Sequence, residues 1–507
     1  MQWSVNDYWH RLSALRFAGK RRATTTFGPD SNDAHPAPIA GCGPEKGHPM
    51  PQRAAETTEV VIVGGGQAGI AMSEHLESQG VPHIVLERDR VAEAWRTRRW
   101  DSLVANGPAW HDRFPTQEFE DTDPEAFATK TEVADYFQTL VDRKCLPVRT
   151  GVTVTSVKAL NGAPGYRVET DAGAIDADYV VAATGPFQVP NVPAIIPAEA
   201  GLTQLHSNAY KNPEQLDDGG VLVVGAGSSG VQIAAEIQAS GRPVHLAVGP
   251  HDRPPRSYRG RDFCWWLGAL GLWDLAAPPV GADHVTIAVS GARGGHTVDF
   301  RDLEASGITL LGRANGFSDG TLFVGDDLGE NIARGDENYL SLLRAADDFI
   351  ERNGFDLPEE PAAHELGPAP EGVRNPIREL DLAEAGVRTV IWATGFGVDY
   401  SWLDVPGVLD ERGYPVQQRG VTPVPGVYFL GLPWLSRRGS SFIWGVWHDA
   451  KYLADQIGIQ RMYRDYSPMA SDRAVTDGAA DEDAAAGRPG TTRPGESATA
   501  ELLEAAG

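Results

Sequence analysis

Short, unbroken apolar runs that break into glycine-rich turns and then into helical patterns organise most of this chain. Val60-Val61-Ile62-Val63 leads into Gly64-Gly65-Gly66-Gln67-Ala68-Gly69, and Val221-Leu222-Val223-Val224 leads into Gly225-Ala226-Gly227-Ser228-Ser229-Gly230. Runs without polar alternation predict strands buried on both faces. Similar runs stand at residues 84–87, 179–183, 244–248, 389–393 and 427–431, with helical stretches between them. Such alternation predicts an α/β fold of parallel sheets covered by helices. Two Rossmann-like dinucleotide-binding domains result, the second inserted into the first. The boundaries fall at 58–195 for the first part of the first domain, 196–384 for the second domain with its insert, and 385–466 for the return.

The ends have a different character. Within residues 1–57, Trp3, Val5, Tyr8, Trp9, Leu12 and Leu15 keep a roughly helical spacing before a Pro/Gly-rich linker. The basic start lacks the apolar core and small-residue cleavage site of a targeting peptide. This extension is expected to be largely disordered and dispensable, so a chain starting at Met50 should fold and bind its cofactor. Residues 467–507 are mainly Ala, Gly, Asp, Glu, Ser, Thr and Pro. Such a composition buries too little apolar surface to offset ordering entropy, and an acidic, disordered tail is expected.

Composition narrows the function classes. At 507 residues and 41% hydrophobic, the chain can bury two to three domain cores. A net charge of −25 argues against nucleic-acid binding, which needs a basic face. Cys42, Cys145 and Cys264 form no CxxC pair, so a disulfide framework and a dithiol redox centre are both disfavoured. A reducing, cytoplasmic setting fits. No run reaches the ~18–20 apolar residues of a membrane span. The nearest, residues 263–273, reads as a buried segment, a lid or tunnel wall, or a subunit contact, and a homodimer stays open. No metal site is expected.

At the first fingerprint, Gly64 allows the tight turn, Gly66 lets the backbone approach a pyrophosphate, and Gly69 lets helix and strand pack closely. Gln67 and Ala68 line the same turn, and the diphosphate would sit at the positive end of the helix. Glu87, ending the next strand, is placed to accept ribose hydroxyls and disfavours a 2′-phosphate, which suits FAD or NAD. Gly225, Gly227 and Gly230 repeat the arrangement, with Ser228 and Ser229 as further phosphate donors. The next strand there ends at Val248 with no acid in the ribose position. Arg253 and Arg256 follow it, and positive charge at that place predicts NADPH over NADH. Two dinucleotide sites in one chain point to electron transfer between a nicotinamide and a flavin.

These ordered motifs resemble the class B flavoprotein monooxygenases, especially the flavin-containing monooxygenase and YUCCA-like branch, over residues 58–462. Between the fingerprints, His206 and Tyr210 are similar to the second half of the family's FxGxxxHxxx(W/Y) linker. Its first half departs, with Ala200 and Leu202 in place of Phe and Gly, which weakens a Baeyer–Villiger assignment. Ala183-Thr184-Gly185 and Ala393-Thr394-Gly395 resemble the family's ATG turns near the cofactors. Trp95, Val154 and Gly431 join them as expected cofactor contacts. Asn106-Gly107-Pro108 resembles the family's Asn-Gly-Pro, which makes Asn106 the expected catalytic side chain; on its own the tripeptide is a turn former. Trp444, Trp447 and His448 are candidate cavity walls.

The resemblance implies an FAD- and NADPH-dependent monooxygenase. NADPH would reduce the flavin, and O2 would add to form a C4a-hydroperoxyflavin. One oxygen atom would then pass to a soft nitrogen or sulfur centre of a small molecule. Baeyer–Villiger oxygenation of a ketone and a non-catalytic flavoprotein redox sensor stay as alternatives. A disulfide reductase is set aside for want of a cysteine pair.

Overall fold

The chain enters its first sheet on β1 (Glu56–Val63), whose last four residues are buried as an unbroken apolar run requires. It turns through the first fingerprint into α1 (Gln67–Ser78) and returns on β2 (His83–Glu87). Helix α2 (Lys130–Lys144) is started by a capping box in which Thr129 and Glu132 satisfy each other's backbone N–H. It leads to the edge strand β3 (Val148–Thr150) and the antiparallel run β4 (Val154–Ala159), β5 (Tyr166–Thr170) and β6 (Gly173–Ala182).

The second unit contains β7 (Thr203–His206), β8 (Gly220–Val224), α3 (Ser228–Ala239) and β9 (Val244–Ala247). It continues with α4 (Phe263–Ala269), β10 (Ile308–Leu311), the long α5 (Leu328–Asn353) and β11 (Val387–Trp392). The chain then returns through β12 (Leu403–Asp404) and β13 (Val427–Phe429) to α6 (Ile443–Arg464). The computed structural model describes residues 55–276 and 287–466, all within one compact unit that begins at Ala55. The expectations for the leader up to residue 54, Met50 included, and for the tail at 467–507 lie outside the described residues.

The first sheet runs β12-β4-β5-β6-β1-β2-β3, with β13 also on β6. The early part of β6 pairs with β5 and its later part with β13, so one long strand joins the antiparallel meander to the parallel core. The second sheet, β10-β9-β8-β11-β7, is parallel throughout. The architecture is therefore α/β, with two Rossmann-type units and the second inserted into the first.

One boundary moves. The sequence reading returns the chain to the first domain at 385, yet β11 pairs Val390 with Leu222 and Ile391 with Val223 in the second sheet. An apolar strand beside a fingerprint strand is buried on both faces by its own sheet, so the crossing back comes after Trp392. The apolar stretch at 263–273 divides between two surroundings: Trp266 is fully buried against the Tyr258 carbonyl, while Trp273 faces an aromatic cluster described below. No helix among the described residues is long and apolar enough to cross a membrane.

Candidate functional site

The two fingerprints fold into superimposable geometry for identical steric reasons. Gly64 and Gly225 both sit at φ +112°, where an added Cβ would lie 2.6 Å from the Ala183 carbonyl oxygen and 2.4 Å from that of Ala393, respectively. Each ATG turn thus closes on the first glycine of its own fingerprint, and Thr184, Gly185, Thr394 and Gly395 follow at the two strand ends. A Cβ on Gly69 would lie 1.8 Å from the Gly64 oxygen, and one on Gly230 would lie 1.8 Å from the Gly225 oxygen. Both helices start at a glycine with no side-chain cap and no acid in the first turn, leaving N–H groups and positive dipole ends unopposed by the chain's own side chains.

The first unit fits a flavin dinucleotide. A Cβ on Gly66 would meet nothing within 4 Å, so the space over the helix start is open. Glu87 is held there by the Gly65 N–H at 2.6 Å and the Asp89 N–H at 2.9 Å. Val152 donates its N–H to the Glu87 carbonyl, which brings the segment leading to Val154 beside this acid. Gln67 donates to the Ser441 carbonyl at 2.8 Å, just ahead of α6, and Gly431 packs against Ala68. Trp95 packs against the cores of both units, with Arg99 stacked over its ring at 5.7 Å.

At the second unit the glycine scaffold fits a dinucleotide, but several expected contacts do not. Ser228 gives both its N–H and its hydroxyl to the Ile287 carbonyl, so these donors face backbone rather than open space. Tyr210 is fully buried and bonds Glu236 of α3 at 2.8 Å, so it supports that helix instead of reaching a cofactor. His206 holds the second ATG turn through the Gly395 carbonyl at 2.9 Å.

The arginines require a clear correction. Arg253 is 2% exposed and gives Nε and Nη2 to Asp336 at 3.0 and 2.7 Å, beneath the Tyr339 ring. Arg256 gives Nη2 to both Asp262 oxygens, at 2.7 and 2.6 Å, and lies over Phe127 and Phe263. Both charges are buried and neutralised by carboxylates, so neither guanidinium is available to a 2′-phosphate.

Asp336 also receives Arg301. Burial pushes its carboxyl up, but the hydrogen bonds from Arg301 and Arg253 prevail and hold it below the usual aspartate range. Its contribution is therefore present at pH values above about 4 and is lost as pH falls through the depressed value. Asp336→Asn is expected to lower stability by up to about 3–5 kcal/mol at neutral pH, because the buried Arg253 loses its nearest counter-charge and keeps only Asp299, at 3.6 Å. Chemical denaturation of variant and parent between pH 3 and 8 checks both size and sign, the gap closing at acid pH.

Arg256 has another task, which the sequence did not disclose. Its Nη1 donates to the Asn106 carbonyl at 2.6 Å. Gln232 on α3 donates through Nε2 to the Val289 carbonyl at 2.8 Å and to Asn106 Oδ1 at 3.0 Å. A carbonyl only accepts, so the Gln232 end that faces Val289 is its NH2, and Asn106 must meet that NH2 with oxygen. The Asn106 amide N–H groups thus remain free to donate. Asn106 belongs to the first unit and Gln232 to the second, which puts this donor at the junction of the two nucleotide-binding units.

Beyond Asn106 the same loop builds a second cluster. Asp112 accepts the Gly107 N–H at 2.9 Å and contacts His111 Nδ1 at 2.8 Å. A Cβ on Gly107 would lie 2.4 Å from that carboxylate, so the close approach needs glycine. His111 stacks on Trp273 and Trp444 with centroids at 5.2 and 5.8 Å, and Trp110 meets it edge-on. His448 packs against the far side of this cluster on Trp444, and burial, helped by Arg437, pushes its imidazole down to about 4. Trp447 instead donates to Glu74 and packs at a tilt against His75, a packing role on α1. Sequence reading missed Gln232, His111 and Asp112. The one available signal was that His111-Asp112 follows Asn106-Gly107-Pro108 within a single short loop.

Cys145 and Cys264 are both unpaired. Burial raises the Cys264 thiol well above its usual range. Among the described residues there is thus no dithiol centre.

Residues 61–259 match the family described as pyridine nucleotide-disulphide oxidoreductase. A CzcO-like oxidoreductase of Geobacillus kaustophilus (strain HTA426) is 33% identical over 403 residues, 79% of this chain and 98% of that protein. The indole-3-pyruvate monooxygenase YUCCA1 of Oryza sativa subsp. japonica is 27% identical over 81% of this chain and 93% of its own. In fold, the chain is similar to the flavin-containing monooxygenase from Stenotrophomonas maltophilia, with a TM-score of 0.56 at 20% identity over 80% of this chain and 99% of that one. The chain belongs to the CzcO-like oxidoreductases within the class B flavoprotein monooxygenase family and is a flavin-dependent oxidoreductase.

Proposed function

We propose that the protein is an FAD-dependent monooxygenase that takes hydride from a nicotinamide dinucleotide and passes one oxygen atom of O2 to a soft nitrogen or sulfur centre of a small molecule. The observation that carries this reading is the orientation of Asn106. Its amide oxygen is occupied by Gln232 and its carbonyl by Arg256, so its N–H groups point as donors from the junction between the two units. A fixed donor there suits a reaction in which negative charge develops on oxygen.

FAD, when bound, supplies the electron transfer and oxygen activation. Gly64, Gly66, Gly69 and Glu87 would hold its adenosine diphosphate end, with Gln67, Ala68 and Gly431 close to the start of α6. Trp110, Trp273 and Trp444 would keep water from the reacting atoms. With Arg253 and Arg256 neutralised, NADPH and NADH are both admitted as hydride source, and steady-state rates with each decide between them. Two free thiols agree with a reducing compartment.

The test is turnover of the flavin-loaded protein under labelled O2 with N,N-dimethylaniline, thioanisole and cyclohexanone. One labelled oxygen in the N-oxide or sulfoxide is expected. Nicotinamide oxidation that yields only hydrogen peroxide with all three would sink the monooxygenase reading. Lactone formation from cyclohexanone alone would move it to Baeyer–Villiger chemistry.

A further inference from the structure

A cleft of about 310 Å³ opens beside α3, where Ser102 and Val104 of the first unit meet the 290–303 segment of the second. That volume falls at the lower end of small-molecule sites, about 300–1,000 Å³. Half-buried Val104, Ala235, Ala292 and Leu303 make its walls mostly apolar. Gln232 and Glu236 also line it, one turn of α3 apart and therefore neighbours on one helix face. Glu236 accepts the Ser102 hydroxyl at 2.6 Å and the Tyr210 hydroxyl at 2.8 Å. Both partners are neutral, and among the described residues Glu236 forms no ion pair. A carboxylate has about four acceptor positions, so two hydroxyls leave it room for another donor. Gln232 spends its NH2 on Val289 and Asn106, and its amide oxygen accepts nothing among the described residues.

The other charged groups of the cleft leave Glu236 uncompensated. Asp299 is taken by Arg301 and Arg253, and Asp302 is exposed. Arg293 and His296 are exposed as well, and neither forms an ion pair among the described residues. Withdrawing a carboxylate from water without a counter-charge is costly, and a cation that reaches it offsets that cost.

We propose that this cleft is an effector site for a small amphiphilic amine in its ammonium form. An ammonium carries several N–H donors, enough for a Glu236 oxygen and the Gln232 amide oxygen together. The hydrocarbon part lies on Val104, Ala235, Ala292 and Leu303. An ammonium has no lone pair to accept oxygen, so the bound amine is not the reacting molecule. Gln232 carries its effect, because a donor on the amide oxygen polarises the NH2 that holds Asn106. Binding is independent of the oxygen-transfer reading, whereas the effect on coupling rests on it.

The experiment is calorimetric titration of the flavin-loaded full chain at neutral pH with 2-phenylethylamine and 2-phenylethanol, which set an ammonium against a hydroxyl on the same apolar group. The parent is expected to bind the amine about 10-fold more tightly, the margin of a charged over a neutral hydrogen bond. Glu236→Gln removes the charge but keeps partners for both hydroxyls, which can turn to accept from its NH2, and the ratio should fall to about 1. Ala235→Phe fills the cleft, leaves Glu236 in place and should abolish binding of both compounds at unchanged flavin content. Equal affinities in the parent, a ratio that survives Glu236→Gln, or amine binding that survives Ala235→Phe would each overturn the proposal. Should Glu236→Gln not fold, the parent ratio and Ala235→Phe decide. In turnover with thioanisole, saturating 2-phenylethylamine should shift the product-to-peroxide ratio of the parent and leave that of Glu236→Gln unmoved; product formation without that shift refutes the effector role. Absence of any oxygenated product, with the binding ratio intact, would instead refute the oxygen-transfer reading and leave the amine site standing.

Discussion

Asn106→Ala is expected to retain its flavin and to lose oxygen transfer by about 100-fold, with reducing equivalents leaving as hydrogen peroxide. The magnitude is that of removing one preorganised donor from a site where charge develops on oxygen. Flavin retention is expected because the hydrogen bonds of Asn106 go to Gln232 and Arg256, not to the first fingerprint. Flavin absorbance per chain and the ratio of product to peroxide read the two halves separately. Unchanged product yield would remove Asn106 from the mechanism. Gln232→Leu offers a graded companion: with the amide orientation released, coupling should fall by a smaller factor than in Asn106→Ala, and flavin content should stay constant.

Gly69→Ala and Gly230→Ala should separate the two nucleotide sites. Each new Cβ would lie 1.8 Å from a backbone oxygen, of Gly64 and Gly225 respectively, and backbone has no soft rotamer by which to yield. Each helix must shift away from its strand, at about 1–3 kcal/mol of stability for overpacking of this kind. The functional losses should differ even though the steric insult is the same. Gly69→Ala is expected to emerge largely without flavin. Gly230→Ala should keep its flavin, remain reducible by dithionite, and lose reduction by either nicotinamide dinucleotide. Equal flavin loss in both variants would refute the assignment of the first fingerprint to the flavin and the second to the nicotinamide.

The tight turns at the fingerprint glycines, the buried strands and the place of Glu87 at the end of β2 are legible in the sequence. Each depends on neighbours a few residues away or on one adjacent strand: Gly69 meets Gly64, and Gly65 meets Glu87. The domain boundary at 385 was misplaced because an apolar run such as β11 reads the same in either sheet; only its register against Leu222 and Val223 assigns it. Arg253 and Arg256 were misread for a related reason. An arginine after a Rossmann strand has the right position for a 2′-phosphate, but Asp336 lies 83 residues from Arg253 in the chain and neutralises it from helix α5.

Sequence alone therefore determined that this protein builds two Rossmann-type units, because steric demands of tight turns and doubly buried strands are local; its place among flavin-dependent oxidoreductases was legible through the resemblance that its ordered motifs carry. Tertiary structure decided which polar groups remain available to a ligand. It withdrew Arg253, Arg256, Ser228 and Tyr210 and oriented Asn106 through Gln232. Pairing and burial are set by contacts between distant segments, and a charge or hydrogen bond already satisfied within the protein is no longer free to recognise anything else.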